Sequence, residues 1–174
     1  LRAMADPGYR AFHQKLVPEV ENLLGVRIPA LRQLARELAR GDWRGYLAAA
    51  QTDTYEETML QGLVLGCAKM EPDELFGRLR EFIPKIGNWA VNDSVCAGLK
   101  LVKKHREETL AFLRPYVAGE AEFEVRFAVV MLIWVSNWMI NKSSNKAWDE
   151  YIKKQTDASL SSGSLLGLAF ISFL

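Results

Sequence analysis

Apolar residues recur along most of this chain at intervals of three and four, the spacing that places them on one face of an α-helix. Helices are predicted at about 29–38, 42–50, 55–70, 72–82, 88–104, 107–117 and 122–138. Before these, the pattern predicts a first helix, kinked at Pro18 and closed by Gly25, whose apolar stripe is Phe12, Leu16, Val20, Leu23 and Leu24. No segment alternates with a period of two between turn signals, so the sequence predicts an all-α fold.

Three of these helices begin at a regular interval. They start near Tyr55, Asn88 and Glu122, 33 to 34 residues apart, and each is followed by a shorter second helix. Such a period is typical of helical-repeat solenoids, in which antiparallel helix pairs stack and one helix of each pair lines a concave groove. We therefore expect equivalent positions of successive repeats to converge on one groove.

Length and composition indicate a single domain over residues 1–174, because 174 residues with 49% apolar content can build one core. The segment 136–174 nevertheless has an anomalous composition. It contains eight of the nine serines, whereas all twelve arginines and all six prolines precede it. A frame change in the coding sequence, a poorly defined stretch of sequence and genuine divergence would each produce this shift.

Charge and cysteine content exclude several classes of function. The net charge of +1 shows no global basic excess, so any nucleic-acid binding must come from a local patch. His13 and His105 have no ligand-forming neighbours at metal-site spacing, and we expect neither metal nor cofactor. Cys67 and Cys96 lie in helical apolar patterns, which suits reduced thiols in the core of a cytoplasmic protein. The apolar run 127–140 is too short to span a membrane.

The strongest candidate chemistry lies at the predicted helix start near residue 88. Trp89 and Asp93 are four residues apart and therefore face the same way on a helix. Arg126 stands in the first turn of the most apolar helix, one repeat later. If the repeats stack, an indole, a carboxylate and a guanidinium share one surface.

Several motifs follow one another along the chain: YRAF at 9–12, LVP at 16–18, LGVRIPALR at 24–32, IGNW at 86–89 and FEVRFA at 123–128. In this order they resemble the DNA alkylation repair family, whose best-known members are AlkD-like alkylpurine DNA glycosylases. The resemblance covers about residues 9–135 and includes the tryptophan, the aspartate four residues after it, and the later arginine. It implies a HEAT-like repeat fold and an enzyme that cleaves the N-glycosidic bond of N3- or N7-alkylated purines in duplex DNA.

Carried over by motif, the family's working residues fall on Trp89, Asp93 and Arg126. Asp93 would stabilise the sugar cation that develops as the base leaves, and the Trp89 ring would add cation–π attraction of about 0.5–2 kcal/mol. Arg126 would grip a phosphate beside the lesion. The family also has a tryptophan in a C-terminal apolar helix. This tryptophan forms an aromatic wall that faces the other site residues. The chain departs from the pattern there, and Phe170 is the nearest candidate for the aromatic wall.

Basic residues near the predicted groove are candidates for holding the DNA backbone. Contacts of this kind are independent of base sequence and strongly salt-dependent. We thus predict a monomer that binds alkylated double-stranded DNA without sequence specificity and has no membrane partner. The candidates are Arg27, Arg32 and Arg36 in the second helix, and Lys100, Lys103 and Lys104 at the end of the helix that carries Asp93.

Structural interpretations of the same residues remain open. Asp93 and Arg126 can form an ordinary salt bridge, and the arginines of the second helix can be surface decoration. Lysines also favour helix C-termini without binding anything. The alternative function is a non-catalytic helical-repeat module that binds DNA or a protein partner.

Overall fold

A computed structural model describes residues 1–100 and 104–140, with side chains to residue 136. Short 3-10 turns occupy Arg2–Met4 and Ile83–Lys85. The α-helices are α1 (Pro7–His13), α2 (Ile28–Leu38), α3 (Trp43–Ala49), α4 (Tyr55–Cys67), α5 (Pro72–Phe82), α6 (Trp89–Gly98), α7 (Arg106–Val117) and α8 (Glu122–Ile140). The described residues contain no strand, so the all-α prediction is confirmed for them.

Helix α4 is the centre of the fold. It packs against α2, α5 and α6, and most of its residues are buried. Its approach to α6 is close because both helices carry glycine at the contact. A Cβ atom on Gly66 would lie 3.0 Å from the backbone of Gly98, and one on Gly62 would collide with the Val95 side chain of α6. Glycine at these positions therefore sets the distance between α4 and the helix that carries Trp89 and Asp93.

The predicted first helix through residue 24 is wrong, because α1 ends at His13. Proline at position 18 lacks an N–H and disfavours helix in the preceding turn. The Glu56 carboxylate of α4 then fixes the following segment, accepting hydrogen bonds from the backbone N–H groups of Leu24, Gly25 and Val26 at 2.9, 2.7 and 3.1 Å. Gly25 has φ +92°, in the left-handed region. Of the predicted stripe, Phe12 and Leu16 are exposed, whereas Val20 and Leu23 are buried.

Helix α6 is shorter than predicted. It ends at Gly98 rather than continuing to residue 104, and Leu99 leaves the helical conformation with ψ 70°. Glycine at the last helical position lowers the helix propensity there. Lys100 and Lys104, which were expected in its final turns, consequently lie outside α6.

Two compact units are distinguished in the chain, Leu1–Leu132 and Ile133–Leu174. The first contains α1 to α7 and the beginning of α8, and it holds all the candidate residues discussed below up to Arg126. The second is described only at the end of α8. The predictions of one domain over 1–174 and of an anomalous segment over 136–174 stay predictions. Among the described residues, no helix is long and apolar enough to cross a membrane.

Candidate active site

The candidate site begins with the cap of α6. The Asn88 side chain accepts a hydrogen bond from the Val91 backbone N–H at 2.9 Å, which satisfies one of the free donors at the helix start. This cap fixes the first turn of α6, and Trp89 is its first residue. The Trp89 side chain is 43% exposed, although tryptophan usually buries most of its surface. An uncovered indole thus stands at the N-terminus of α6.

Asp93 lies one turn after Trp89 and forms a bidentate ion pair with Arg126 of α8. Nε of Arg126 donates to Oδ1 at 3.1 Å, and Nη2 donates to Oδ2 at 2.8 Å. Side-on pairing of this kind fixes the orientation of both planar groups. The two side chains are 39% and 41% exposed, so the pair lies at the surface of the first unit, open to a ligand.

A third donor makes the two oxygens of Asp93 unequal. Nδ2 of the fully buried Asn92 donates to Oδ1 at 3.0 Å. A carboxylate oxygen has two lone pairs, so Oδ1 is saturated by Arg126 and Asn92, whereas Oδ2 accepts only from Arg126. Within the described part of the chain, one lone pair of Oδ2 therefore remains available for a water or a cation.

Arg126 also has N–H donors that its pairing with Asp93 does not use. Its guanidinium has five N–H groups, and Asp93 takes one from Nε and one from Nη2. Both N–H groups of Nη1 and one of Nη2 have no partner among the described residues. Arg126 can thus bind a phosphate without releasing Asp93.

The interior side of α6 holds an unreactive thiol. Burial raises the pKa of Cys96, and the negative charge of Asp93 acts in the same direction. Cys96 is consequently neutral at physiological pH and contributes no nucleophile to the site. Cys67, also a free thiol, lies exposed at the end of α4, so the expectation of a core position is confirmed only for Cys96.

Three arginines proposed for the DNA backbone lie on or beside α2. Arg27 caps the helix and pairs with Asp6 at 2.8 Å, with its guanidinium 5.0 Å from the centre of the Tyr9 ring. The Tyr9 backbone N–H and Arg27 together lower the pKa of Asp6 below its ordinary value. Arg32 and Arg36 are exposed one turn apart, on the side of the helix away from its buried residues. Phosphate contacts by these arginines stay predictions.

The lysines are placed differently from the sequence expectation. Lys100 and Lys104 are exposed but follow the end of α6 at Gly98 instead of forming its last turns. Lys103 and Phe170 lie outside the described residues. No group of three or more potential metal ligands occurs among the residues that the structure describes.

Two asparagines contribute to this geometry although the sequence analysis gave neither of them a role in the site. Asn88 directly precedes the helical pattern, and asparagine at that position is a common N-cap signal. Asn92 interrupts the buried stripe of α6, between Val91 and Val95. A polar residue within a buried stripe is unusual and would have drawn attention to the position.

Comparison with known proteins assigns the chain to a family. The sequence profile of the family described as DNA alkylation repair enzyme matches residues 1–159. The chain therefore belongs to the DNA alkylation repair enzyme family, and the resemblance noted in the sequence is confirmed. No curated protein and no solved structure matches the chain significantly.

Proposed function

We propose that the protein is a DNA glycosylase that cleaves the N-glycosidic bond of N3- or N7-alkylated purines in duplex DNA. The observation that carries this proposal is the surface pair of Asp93 and Arg126, one turn from the exposed Trp89, in a chain of the DNA alkylation repair enzyme family. A carboxylate with a free lone pair, an uncovered indole and a guanidinium with unused donors match what the reaction requires.

Alkylation at N3 or N7 gives the purine a positive charge, so the base can leave as a neutral molecule without prior protonation. The site then needs no strong acid. As the glycosidic bond breaks, positive charge grows on the deoxyribose, as in sugar hydrolases. Oδ2 of Asp93 stabilises this cation or holds the attacking water, and the face of Trp89 adds cation–π attraction.

Arg126 has two functions in this proposal. It holds the Asp93 carboxylate in a fixed orientation, which removes the need to order that group during the reaction. Its unused Nη1 donors bind a phosphate of the damaged strand, which places the sugar next to Asp93. Positive charge at Arg126 also reduces the net field of Asp93. Direct contact at Oδ2 is therefore required for effective stabilisation.

A HEAT-like solenoid of helix pairs is part of the same proposal. Two observations support it: α2, α4 and α6 pack side by side, and α4, α6 and α8 begin at Tyr55, Trp89 and Glu122. In such a stack, Asp93 and Arg126 occupy neighbouring repeats and face a concave groove. Arg32, Arg36, Lys100 and Lys104 would then bind the DNA backbone without reading base sequence.

Base release from alkylated DNA tests the proposal. Duplex DNA with radiolabelled methyl groups is incubated with the protein, and the released bases are identified by chromatography. We expect labelled 3-methyladenine and 7-methylguanine. A second duplex that carries radiolabelled hypoxanthine, a neutral lesion, should release no base. Asp93→Asn should release these bases much more slowly. Its matched control is Asp73→Asn, which neutralises an exposed carboxylate on α5 and should release the same bases as the wild type. Absence of any released base from the wild type would refute the proposal.

The second candidate is a non-catalytic repeat module that binds DNA or a protein partner. It is favoured by one observation, since both oxygens of Asp93 already accept bonds from Arg126, as in a structural salt bridge. A DNA-binding module predicts salt-sensitive binding that survives Asp93→Asn, without base release. A protein-binding module predicts no affinity for DNA even at low salt.

A further inference from the structure

Asn92 is the residue of α6 that the proposed function leaves without a task. It has no exposed surface, and its Nδ2 donates to Oδ1 of Asp93 at 3.0 Å. Adjacent residues of a helix point in directions about 100° apart and do not normally face each other. The bond consequently connects the buried side of α6 to a carboxylate at its surface.

The other half of the Asn92 amide, its carbonyl, is unpaired within the part of the chain that the structure describes. Its Oδ1 is buried and accepts no hydrogen bond among the described residues. Burying a carbonyl without a partner costs free energy, and an apolar residue of the same size would avoid this cost. The other orientation of the amide would put two acceptors in contact, Oδ1 of Asn92 and Oδ1 of Asp93. Among the described residues, the bond to Asp93 is the one contact that accounts for an asparagine at this position.

The bond from Asn92 makes the two oxygens of Asp93 unequal as hydrogen-bond acceptors. Arg126 alone would leave one lone pair free on each oxygen of Asp93, and the two oxygens would then be equivalent toward a substrate. Asn92 occupies the free lone pair of Oδ1. The acceptor that remains is on Oδ2, and its direction is fixed by a donor anchored in the core.

We propose that Asn92 is a positioning residue for the glycosylase reaction, directing the single free lone pair of Asp93 Oδ2 toward the sugar of the substrate. This inference rests on the proposed function, because it assigns Asn92 a part in the same reaction. Asn92 acts only through Asp93 and does not itself touch the DNA.

Single-turnover kinetics with a 7-methylguanine duplex provide the first test. Asn92→Leu keeps the volume and removes the donor, and its rate should fall by about 10-fold to 100-fold, while the Kd for the duplex is unchanged. Gln61→Leu is the matched control. Gln61 is also buried and hydrogen-bonded, but it lies on α4 and its partners are Gln51, Glu57 and Lys85. Its rate should equal that of the wild type.

A double-mutant cycle separates positioning from a general structural effect. In the Asp93→Asn background, Asn92→Leu should cause no further loss of rate, because the group through which it acts is already altered. Equal losses in both backgrounds would overturn the inference. So would a wild-type rate for Asn92→Leu, or a loss equal to that of Gln61→Leu. In each of these cases, the proposed function would still stand if Asp93→Asn is impaired.

A second readout does not depend on catalysis. The Nε–H resonance of Arg126 in ¹H–¹⁵N spectra reports its bond to Asp93 Oδ1. If Asn92 holds that carboxylate, solvent exchange of this proton should be about tenfold faster in Asn92→Ala and Asn92→Leu, but unchanged in Gln61→Leu. Unchanged exchange in the Asn92 variants would overturn the inference whether or not the wild type releases a base.

Discussion

The ion pair between Asp93 and Arg126 should contribute little to stability and much to catalysis. A double-mutant cycle with Asp93→Ala and Arg126→Met measures the first part. Methionine keeps the apolar stem of arginine, so the cycle isolates the charged contact from packing. The free energy of unfolding of the wild type, both single variants and the double variant gives the coupling energy of the pair.

The geometry sets the expected magnitude. Two hydrogen bonds of 2.8 and 3.1 Å join the partners, but the side chains are 39% and 41% exposed. Exposed ion pairs are worth about 0.2–1 kcal/mol, and bidentate geometry places this one near the upper end. We therefore expect a coupling energy of about 1 kcal/mol. Loss of the Asp93 charge should instead lower the rate of base release by about 10²-fold to 10³-fold.

Urea unfolding provides the measurement, provided that the slope is equal in all four proteins. The pair of Arg44 and Glu74 is a matched control. It is also bidentate, at 2.7 and 2.6 Å, and 55% and 30% exposed. Its coupling energy should be similar, whereas its loss should not change base release. A coupling energy above about 3 kcal/mol for Asp93 and Arg126, with little change in base release, would refute this reasoning and identify a structural salt bridge.

Three further predictions concern the fold and the basic surface. Glu56→Gln replaces one acceptor oxygen by an NH₂ group opposite the backbone donors of residues 24–26. Its free energy of unfolding in urea should be lower than that of the wild type by about 3–5 kcal/mol. A decrease below about 1 kcal/mol would contradict the role of Glu56 in fixing this segment. Burial lowers the pKa of His13, so the unfolded chain binds the proton more readily and stability falls as the pH drops below about 6.5. His13→Gln should reduce this dependence between pH 7.5 and 5.5, and an unchanged dependence would exclude His13 as its source. Removing both charges with Arg32→Gln and Arg36→Gln should lower the slope of log K against log salt for duplex DNA by about 2, and an unchanged slope would place both residues outside the interface.

Local patterns in the sequence predicted most helices because their apolar spacing and capping residues agree. Helix α5 begins at Pro72 and ends at Phe82 as expected, and proline in the first turn followed by acidic residues is a strong start signal. The segment after α1 could not be predicted in this way. Its conformation depends on the Glu56 carboxylate, which lies about thirty residues later in the chain.

The candidate site was predictable only in part. Helical spacing alone indicated that Trp89 and Asp93 face the same side, and the repeat interval suggested that Arg126 lies nearby. The bidentate geometry depends on how α6 and α8 approach each other, and the bond from Asn92 depends on the conformations of two adjacent side chains of α6. Periodicity specifies neither. The buried position of Asn92 was detectable as a polar residue within an apolar stripe, but its hydrogen bond to Asp93 belongs to no sequence motif.

The most direct test of the account is the single-turnover rate of 7-methylguanine release by Asp93→Asn relative to the wild type, with enzyme in excess over DNA. Asparagine preserves the shape and accepts one hydrogen bond from Arg126, but it removes the negative charge that faces the sugar. The account predicts a rate at least about 100-fold lower, with duplex binding retained. Release at the wild-type rate by Asp93→Asn would contradict the claim that this carboxylate stabilises the departing sugar cation.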